Sequence, residues 1–301
     1  MNTMKNRCFL DNFEYDVLIC TYNGEKYIES QIESILEQEI KPQKIIISDD
    51  ESTDSTLFRC VSCFNTHEYT NFQIIKGPCN GIANNFFHGA KYSTSEYLFF
   101  SDQDDVWTKD KAVIFADSFT SINNTVPALV FSDSYITDEK LRVLSDSFIN
   151  SASLNIDILL DDSILLENCV QGASSAINAE LRDLLLKSLT CIEVESISMH
   201  DWWLAILAKY FGVVSYIDKP LLYYRQHGGN QVGAKESKSY VGYVMSIFQQ
   251  IKKTKHYLRQ MDQLLKVVNH ASAFNATPLY KCEYEFEKIK LIKRVFYLLL
   301  K

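Results

Sequence analysis

Short apolar runs alternate with segments of helical period over the first 135 residues. The runs cover 15–20 (YDVLIC), 44–48 (KIIIS), 72–75 (FQII), 97–101 (YLFFS) and 128–132 (ALVFS). None alternates cleanly between apolar and polar positions, so each predicts a strand covered on both faces. Between them, 27–38, 54–64, 81–92 and 109–119 read as helices. In the first, Ile28, Ile32, Ile35 and Leu36 share one face at helical spacing. This alternation predicts βαβ units in a mostly parallel sheet flanked by helices, an α/β fold. The part from 167 to 233 is less regular: a strand at 168–172, helices at 179–187 and 200–210, then strands at 213–217 and 221–225. Beyond it lie two long helical patterns, 240–268 and 280–300. The expected division is one α/β domain over 1–234 and a C-terminal helical extension over 235–301.

Composition narrows the possibilities. The 301 residues are 47% hydrophobic, enough for a substantial core. A formal charge of −8 argues against a nucleic-acid partner, because phosphate binding needs surplus Lys and Arg. No apolar run approaches the roughly 20 residues of a spanning helix, and the N-terminus lacks a signal-peptide pattern. A cytoplasmic protein is expected. The eight cysteines are scattered, and Cys60-x-x-Cys63 has no second Cys or His pair at zinc-site spacing. Buried thiols are the favoured reading.

In open α/β sheets, ligands bind beyond the carboxyl ends of the strands. There the chain places Thr21-Tyr22-Asn23, Asp49-Asp50, Asn80-Gly81 and Asp102-Gln103-Asp104-Asp105. Three carboxylates within four residues repel one another unless a cation neutralises them. Oxygen ligands suit Mg²⁺ or Mn²⁺, with positions left for substrate phosphates. The plainer alternative is that these aspartates cap the helix that follows. In Asp49-Asp50-Glu51-Ser52-Thr53-Asp54, capping accounts for Ser52 to Asp54. It leaves Asp49 and Asp50 to accept from a base or a ribose. Asp201, in His200-Asp201-Trp202-Trp203, is either an N-cap or a general base. Arg225 can hold diphosphate oxygens, and His227 can ligate a metal or donate to phosphate. The pair Gly228-Gly229 gives that loop freedom to close over a substrate.

These motifs, in this order, resemble the family 2 glycosyltransferases of the GT-A fold. The likeness runs from about residue 15 to 233 through TYNGEKYIESQIESIL, SDDESTD, GIANNF, SDQDDVW, HDWW and YRQHGGN. The last three forms are similar to the rhamnosyltransferase branch. The resemblance implies that Thr21, Tyr22 and Asn23 belong to the nucleotide pocket, with Asp49 or Asp50 reading the base. It puts Asp102 and Asp104 in the places of the DxD aspartates, with Asp104 as metal ligand. Asp201 matches the catalytic base of inverting members, and Arg225 and His227 match the diphosphate- and metal-facing loop. Gly172 and Trp202 fall on the acceptor side. Two residues depart from the family pattern: Cys20 before TYN, and Glu51 where glycine is usual, a strained choice if that turn needs a positive φ.

The implied reaction is a single displacement from a nucleoside-diphosphate sugar to a saccharide or lipid-linked acceptor in surface polysaccharide synthesis, with rhamnose the sugar the motif forms favour. The rivals are a sugar-nucleotide-forming nucleotidyltransferase, whose Gly-rich, Arg-containing loop residues 21–26 do not match, and a non-catalytic sugar-nucleotide binder, expected to lack Asp104 or Asp201. A dinucleotide oxidoreductase is disfavoured because no GxGxxG follows the first strand. In the C-terminal helices, Lys252, Lys253, Lys255, Lys288, Lys290, Lys293 and Arg294 stand among apolar residues. They read equally as a peripheral contact with the inner face of the cell membrane or as a solvated face covering the domain or a homodimer partner.

Overall fold

The computed structural model describes residues 12–227 and 240–278; side chains of 240–254 lie outside that description. The N-terminal half is built as expected: β1 (Tyr15–Thr21), α1 (Ile28–Leu36), β2 (Lys44–Asp49), α2 (Thr56–Thr66), β3 (Phe72–Lys76), α3 (Ile82–Ala90) and β4 (Tyr97–Ser101). Next come β5 (Val106–Trp107), α4 (Lys111–Thr120), β6 (Ala128–Thr137), β7 (Val143–Ser145) and α5 (Phe148–Ser151). The chain continues with β8 (Ser175–Asn178), α6 (Ala179–Ser188), α7 (His200–Phe211), β9 (Val213–Arg225) and α8 (Tyr240–Asn269).

The sheet runs β3-β2-β1-β4-β8-β6-β9-β5, with β7 on β6. Pairing is parallel from β3 through β4, then mixed: β8 is antiparallel to both β4 and β6, whereas β9 runs parallel to β6. Residues of alternating parity face two separate cores. Leu18, Ile46, Leu98 and Phe100 point to one side, towards α3, α6 and α7. Val17, Ile19, Ile45, Ile47 and Phe99 point to the other, towards α1, α2 and α4. Two-sided burial explains why these strands carry no polar alternation.

Register sets the site. Thr21 lies opposite Asp49, and Ile19 opposite Ser101, so β1, β2 and β4 end at one rim. On the far side, Val106 pairs with Tyr223 and Thr137 with Arg225, which brings the end of β9 beside the acidic loop that follows β4.

Two expectations need correction, and one alternative falls away. No strand forms at 168–172, because the Asn168 side chain takes both the N–H and the carbonyl of Val170 (each 3.0 Å), closing a local turn. The strand is Ser175–Asn178 instead. The two strands expected at 213–217 and 221–225 are one, β9, irregular in its pairing near Pro220. Capping does not explain the aspartates after β4. Helix α4 starts at Lys111 with Asp110 at its N-cap, beyond all three.

Helix α8 covers the expected 240–268. Its Leu258, Met261, Leu264 and Val267 are buried in the same core as α7. Gln260 and Gln263 accept the backbone N–H groups of Ser198 and Glu193 at 2.8 and 3.0 Å. Among the described residues, no helix is long and apolar enough to cross a membrane. The expected helix at 280–300 and the loop Gly228-Gly229-Asn230 fall outside the described residues.

Candidate active site

Around the nucleotide motif the polar residues knit three loops together. Asp49 accepts from Thr21 Oγ1 (2.7 Å), from Ser52 Oγ (2.6 Å) and from Ser52 N–H (2.8 Å). Asn23 donates its N–H to Ser52 Oγ (2.8 Å) and accepts from Thr53 N–H (2.9 Å). Thr21 and Asp49 are buried by this mutual bonding, so they shape the pocket from within. Asp50 is the partly exposed carboxylate of its pair, accepting from Cys79 N–H at 2.9 Å. Tyr22 presents its ring to solvent, 60% exposed. Its backbone is held by Gln103, whose amide accepts from Tyr22 N–H (2.9 Å) and donates to Tyr22 carbonyl (3.1 Å).

Glu51 adopts φ 60, the left-handed conformation that glycine tolerates best. Glycine at position 51 is expected to raise the melting temperature by about 1–3 °C in thermal unfolding, since relief of backbone strain outweighs the added freedom of the unfolded chain. The exposed ion pair from Glu51 to Lys76 contributes little against this.

The acidic loop divides its three carboxylates. Asp105 is buried, accepts from Arg225 N–H (3.0 Å) and keeps its second oxygen without a hydrogen bond. Asp104 faces the cleft, with Oδ2 at 2.8 Å from His227 Nε2. Burial, then Asp104 and Asp201, push Asp102 up to about 7. Burial likewise raises Asp105 well above the usual carboxylate range, reinforced by Asp104 and Asp102.

The cation inside this cluster is Lys111. It is fully buried, with Nζ at 2.8 Å from Ala173 carbonyl and 4.1 Å from the centre of the Trp107 ring. Burial pulls it down to about 7 against the opposing pull of Asp105 and Asp102. Lys111 and the Arg225 guanidinium both act on these acids, which still sets three carboxyls against two cations, with Asp104 turned to the cleft. An oxygen and an imidazole nitrogen converging there fit a hard divalent ion, whose remaining positions phosphates and water would fill.

Arg225, expected at the diphosphate, directs its donors into the protein. Nε reaches Asp104 carbonyl and Nη1 Glu139 carbonyl, both at 2.7 Å, and Nη2 lies 3.3 Å from Ser30 Oγ. Its guanidinium also covers the Tyr27 ring at 4.7 Å, and the residue is 5% exposed. In this arrangement it braces the loop that carries Asp104. Tyr27 packs on His227 (4.8 Å between rings) and donates to Glu139 (2.8 Å), which also pairs with Lys26. These residues, with Asn23, Gly24 and Gln103, line a cleft of about 330 Å³.

Asp201 lies in the first turn of α7, with Met199 at the N-cap, and accepts three hydrogen bonds. They come from Trp202 N–H (2.6 Å), Gly172 N–H (2.9 Å) and Asn168 Nδ2 (3.2 Å). Burial lifts it to about 6 while these bonds oppose the rise. Beside it, His200 is buried flat against Phe86 with ring centres 3.8 Å apart. Burial pushes His200 down to about 3, so it is neutral. Trp202, expected on the acceptor side, belongs to the core. It is 5% exposed, bonds Ile164 carbonyl at 2.5 Å and meets Tyr257 of α8 edge-on. One residue along a helix turns the side chain by about 100°, so Asp201 and Trp202 cannot share a face.

Gly172 packs against His200 and Asp201. A Cβ there would stand 2.5 Å from His200 Nε2 and 3.4 Å from Asp201 Oδ2. The stacked His200 ring has nowhere to retreat, so Gly172→Ala is expected to cost roughly 1–3 kcal/mol of stability and to lower turnover by displacing Asp201. Thermal unfolding and a transfer assay would register both losses. Lys111, Glu139 and Asn168 carried no sequence signal as site residues, since each acts through a partner distant in the chain.

The model of glycosyl transferase family 2 matches residues 16–157. That range takes in Asp49, Asp50, Asp102 and Asp104 and stops short of Gly172, Asp201, Arg225 and His227. The chain is 31% identical to the dTDP-rhamnosyl transferase RfbG of Shigella flexneri over 228 residues, 73% of this chain and 75% of RfbG. The chain belongs to glycosyl transferase family 2. As a member of that family it is a glycosyltransferase, and solved structures agree on its GT-A fold. S. aureus TarS in complex with UDP-GlcNAc matches with a TM-score of 0.55 at 18% identity, over 86% of this chain and 73% of TarS. Glucosyl-3-phosphoglycerate synthase from Mycobacterium tuberculosis, solved with Mn²⁺, UDP and glucosyl-3-phosphoglycerate, matches with a TM-score of 0.51 at 13% identity, over 86% and 83%.

Proposed function

We propose that this glycosyltransferase acts by inversion and with a divalent metal. It would move rhamnose from a dTDP donor to a saccharide or lipid-linked acceptor in surface polysaccharide synthesis. The observation that carries the mechanism is the pairing of two sites around the acidic loop. Asp104 and His227 face each other at 2.8 Å, and a deeply set carboxylate, Asp201, is close enough to Asp102 to raise its proton affinity.

In this reading Tyr22, Asn23 and Asp50 receive the nucleotide, and Asp102 receives the ribose. Asp104 and His227 would hold Mg²⁺ or Mn²⁺, which offsets the charge developing on the departing diphosphate. The acceptor oxygen attacks the anomeric carbon, its proton passes to Asp201, and the bond from that carbon to the diphosphate oxygen breaks. The products are the new glycoside and a nucleoside diphosphate. The rhamnose and dTDP assignments are supported by the RfbG likeness and by the forms SDQDDVW, HDWW and YRQHGGN.

The experiment is a screen of nucleotide release with dTDP-rhamnose, UDP- and GDP-sugars, each with Mg²⁺, with Mn²⁺ and with EDTA. Fastest release from dTDP-rhamnose, abolished by EDTA, is expected. Release that ignores EDTA defeats the metal assignment, and preference for another donor defeats the rhamnosyl assignment. Tight donor binding without turnover in the presence of acceptor glycans would favour a binder instead.

A further inference from the structure

We propose that Glu33, Cys63 and His67 form a second metal site, for an ion of the zinc class, remote from the cleft. Cys63 and His67 stand four residues apart at the end of α2, so they share one face of that turn. Glu33 meets them from the neighbouring α1. The sulfur, an imidazole nitrogen and a carboxylate oxygen all lie within 4.8 Å of one another. His67 Nε2 and Glu33 Oε1 are 3.9 Å apart. Ligands of a tetrahedral zinc ion stand about 3.3–3.7 Å apart, given metal bonds of about 2.0–2.3 Å. Small rotations of the two outer side chains, both partly exposed, close that difference.

The donor set separates this site from the cleft. A thiolate, an imidazole and one carboxylate suit zinc or cobalt, whereas Asp104 and its neighbours offer mainly oxygen to a harder ion. Cys60, one turn earlier in α2 and wholly buried, is not part of this group. The second carboxylate nearby, Glu29, is already paired with Arg59 at 2.8 Å. Three protein ligands leave one position for water.

The place in the fold assigns the consequence. Helices α1 and α2 each return from the rim, so their last turns lie at the opposite edge of the sheet. Their first turns hold the nucleotide loop, where Thr56 Oγ1 accepts from Gly24 N–H (2.8 Å) and Asp54 from Glu25 N–H (3.1 Å). An ion between the last turns staples the two helices that carry this loop and takes no part in transfer.

Full-length, reduced, metal-stripped protein titrated with Co²⁺ provides the test. One equivalent is expected to give a thiolate-to-cobalt charge-transfer band with tetrahedral visible absorption, both displaced by Zn²⁺. The band is expected to vanish in Cys63→Ser, and the affinity to fall about tenfold or more in His67→Ala and in Glu33→Gln. Cleft-bound cobalt adds no thiolate band, so the signal reports this site alone. Transfer by Glu33→Gln with Mg²⁺ or Mn²⁺ is expected to stay within about twofold of the native rate. Absence of the band at stoichiometric cobalt, or its persistence in Cys63→Ser, overturns the proposal. Because Cys63 is buried, the two outer variants also stand as an independent check: unchanged cobalt affinity in both of them overturns it as well.

Discussion

Replacing Asp201 by asparagine is expected to lower turnover by about 10²–10⁴-fold while donor affinity stays within a few-fold of the native value. The carboxylate is held at both oxygens by Gly172, Trp202 and Asn168, so it arrives pre-aimed and without reorganisation. Its elevated proton affinity, about 6, makes it a stronger base than a solvated aspartate yet leaves it ionised at neutral pH. At saturating metal and donor, turnover should therefore fall about tenfold per unit as pH drops below about 6. That limb should be missing from whatever activity the Asp201→Asn variant retains. An unaltered limb in the variant would show that a group other than Asp201 sets it.

Stability decides whether such a loss is chemical. For a carboxyl raised from an ordinary value near 3.8 to about 6, the native state holds more protons between those limits than the unfolded state. Stability contributed by the neutral form is thus lost as pH climbs through that window, by roughly 3 kcal/mol at most. Asparagine removes this penalty at neutral pH. It also turns one acceptor into a donor, facing either Gly172 N–H or the donors at the other oxygen, which costs roughly 1–3 kcal/mol. The two effects nearly cancel, so the variant should melt within a few degrees of the native protein. A dead but unfolded variant would carry no information about the base.

The parallel half of the fold was legible because β1, β2 and β4 are buried on both faces and its helices keep their apolar stripe, as with Ile28, Ile32 and Ile35. The acidic rim was legible for a related reason: no packing argument accounts for Asp102, Asp104 and Asp105 directly after a strand. What stayed hidden depends on contacts across the chain. Lys111 reads as an ordinary residue in a helical pattern until the fold closes Ala173 and Trp107 around it. Glu139 is one acid in a polar turn, and only register places it over Lys26 and Tyr27. Trp202 shows the converse error, since adjacency to Asp201 in sequence says nothing about which face of α7 a side chain takes. The segment 168–172 looked extended from its apolar content, while Asn168 turned it by bonding Val170.

Asparagine at position 104 tests the other half of the chemistry. It is expected to lower transfer by about 10²–10³-fold, because charge stabilisation by a bound ion is worth several kcal/mol in the transition state. Unlike the change at 201, it should also raise the metal concentration giving half-maximal activity by about tenfold or more, since one anionic ligand is lost. His227→Ala should move that concentration in the same direction by less, because it removes a neutral donor. The change at 104 should not disturb the backbone, because Arg225 Nε holds the carbonyl of Asp104 and not its side chain. Nucleotide release followed across a Mn²⁺ titration separates the cases. A falling rate at an unshifted metal midpoint would assign Asp104 to donor binding alone and leave the ion to Asp102. A native-like rate at a shifted midpoint would mean that the ion binds at Asp104 without supporting the leaving group. Only loss of rate together with a displaced midpoint joins the acidic loop, the ion and the diphosphate in one step.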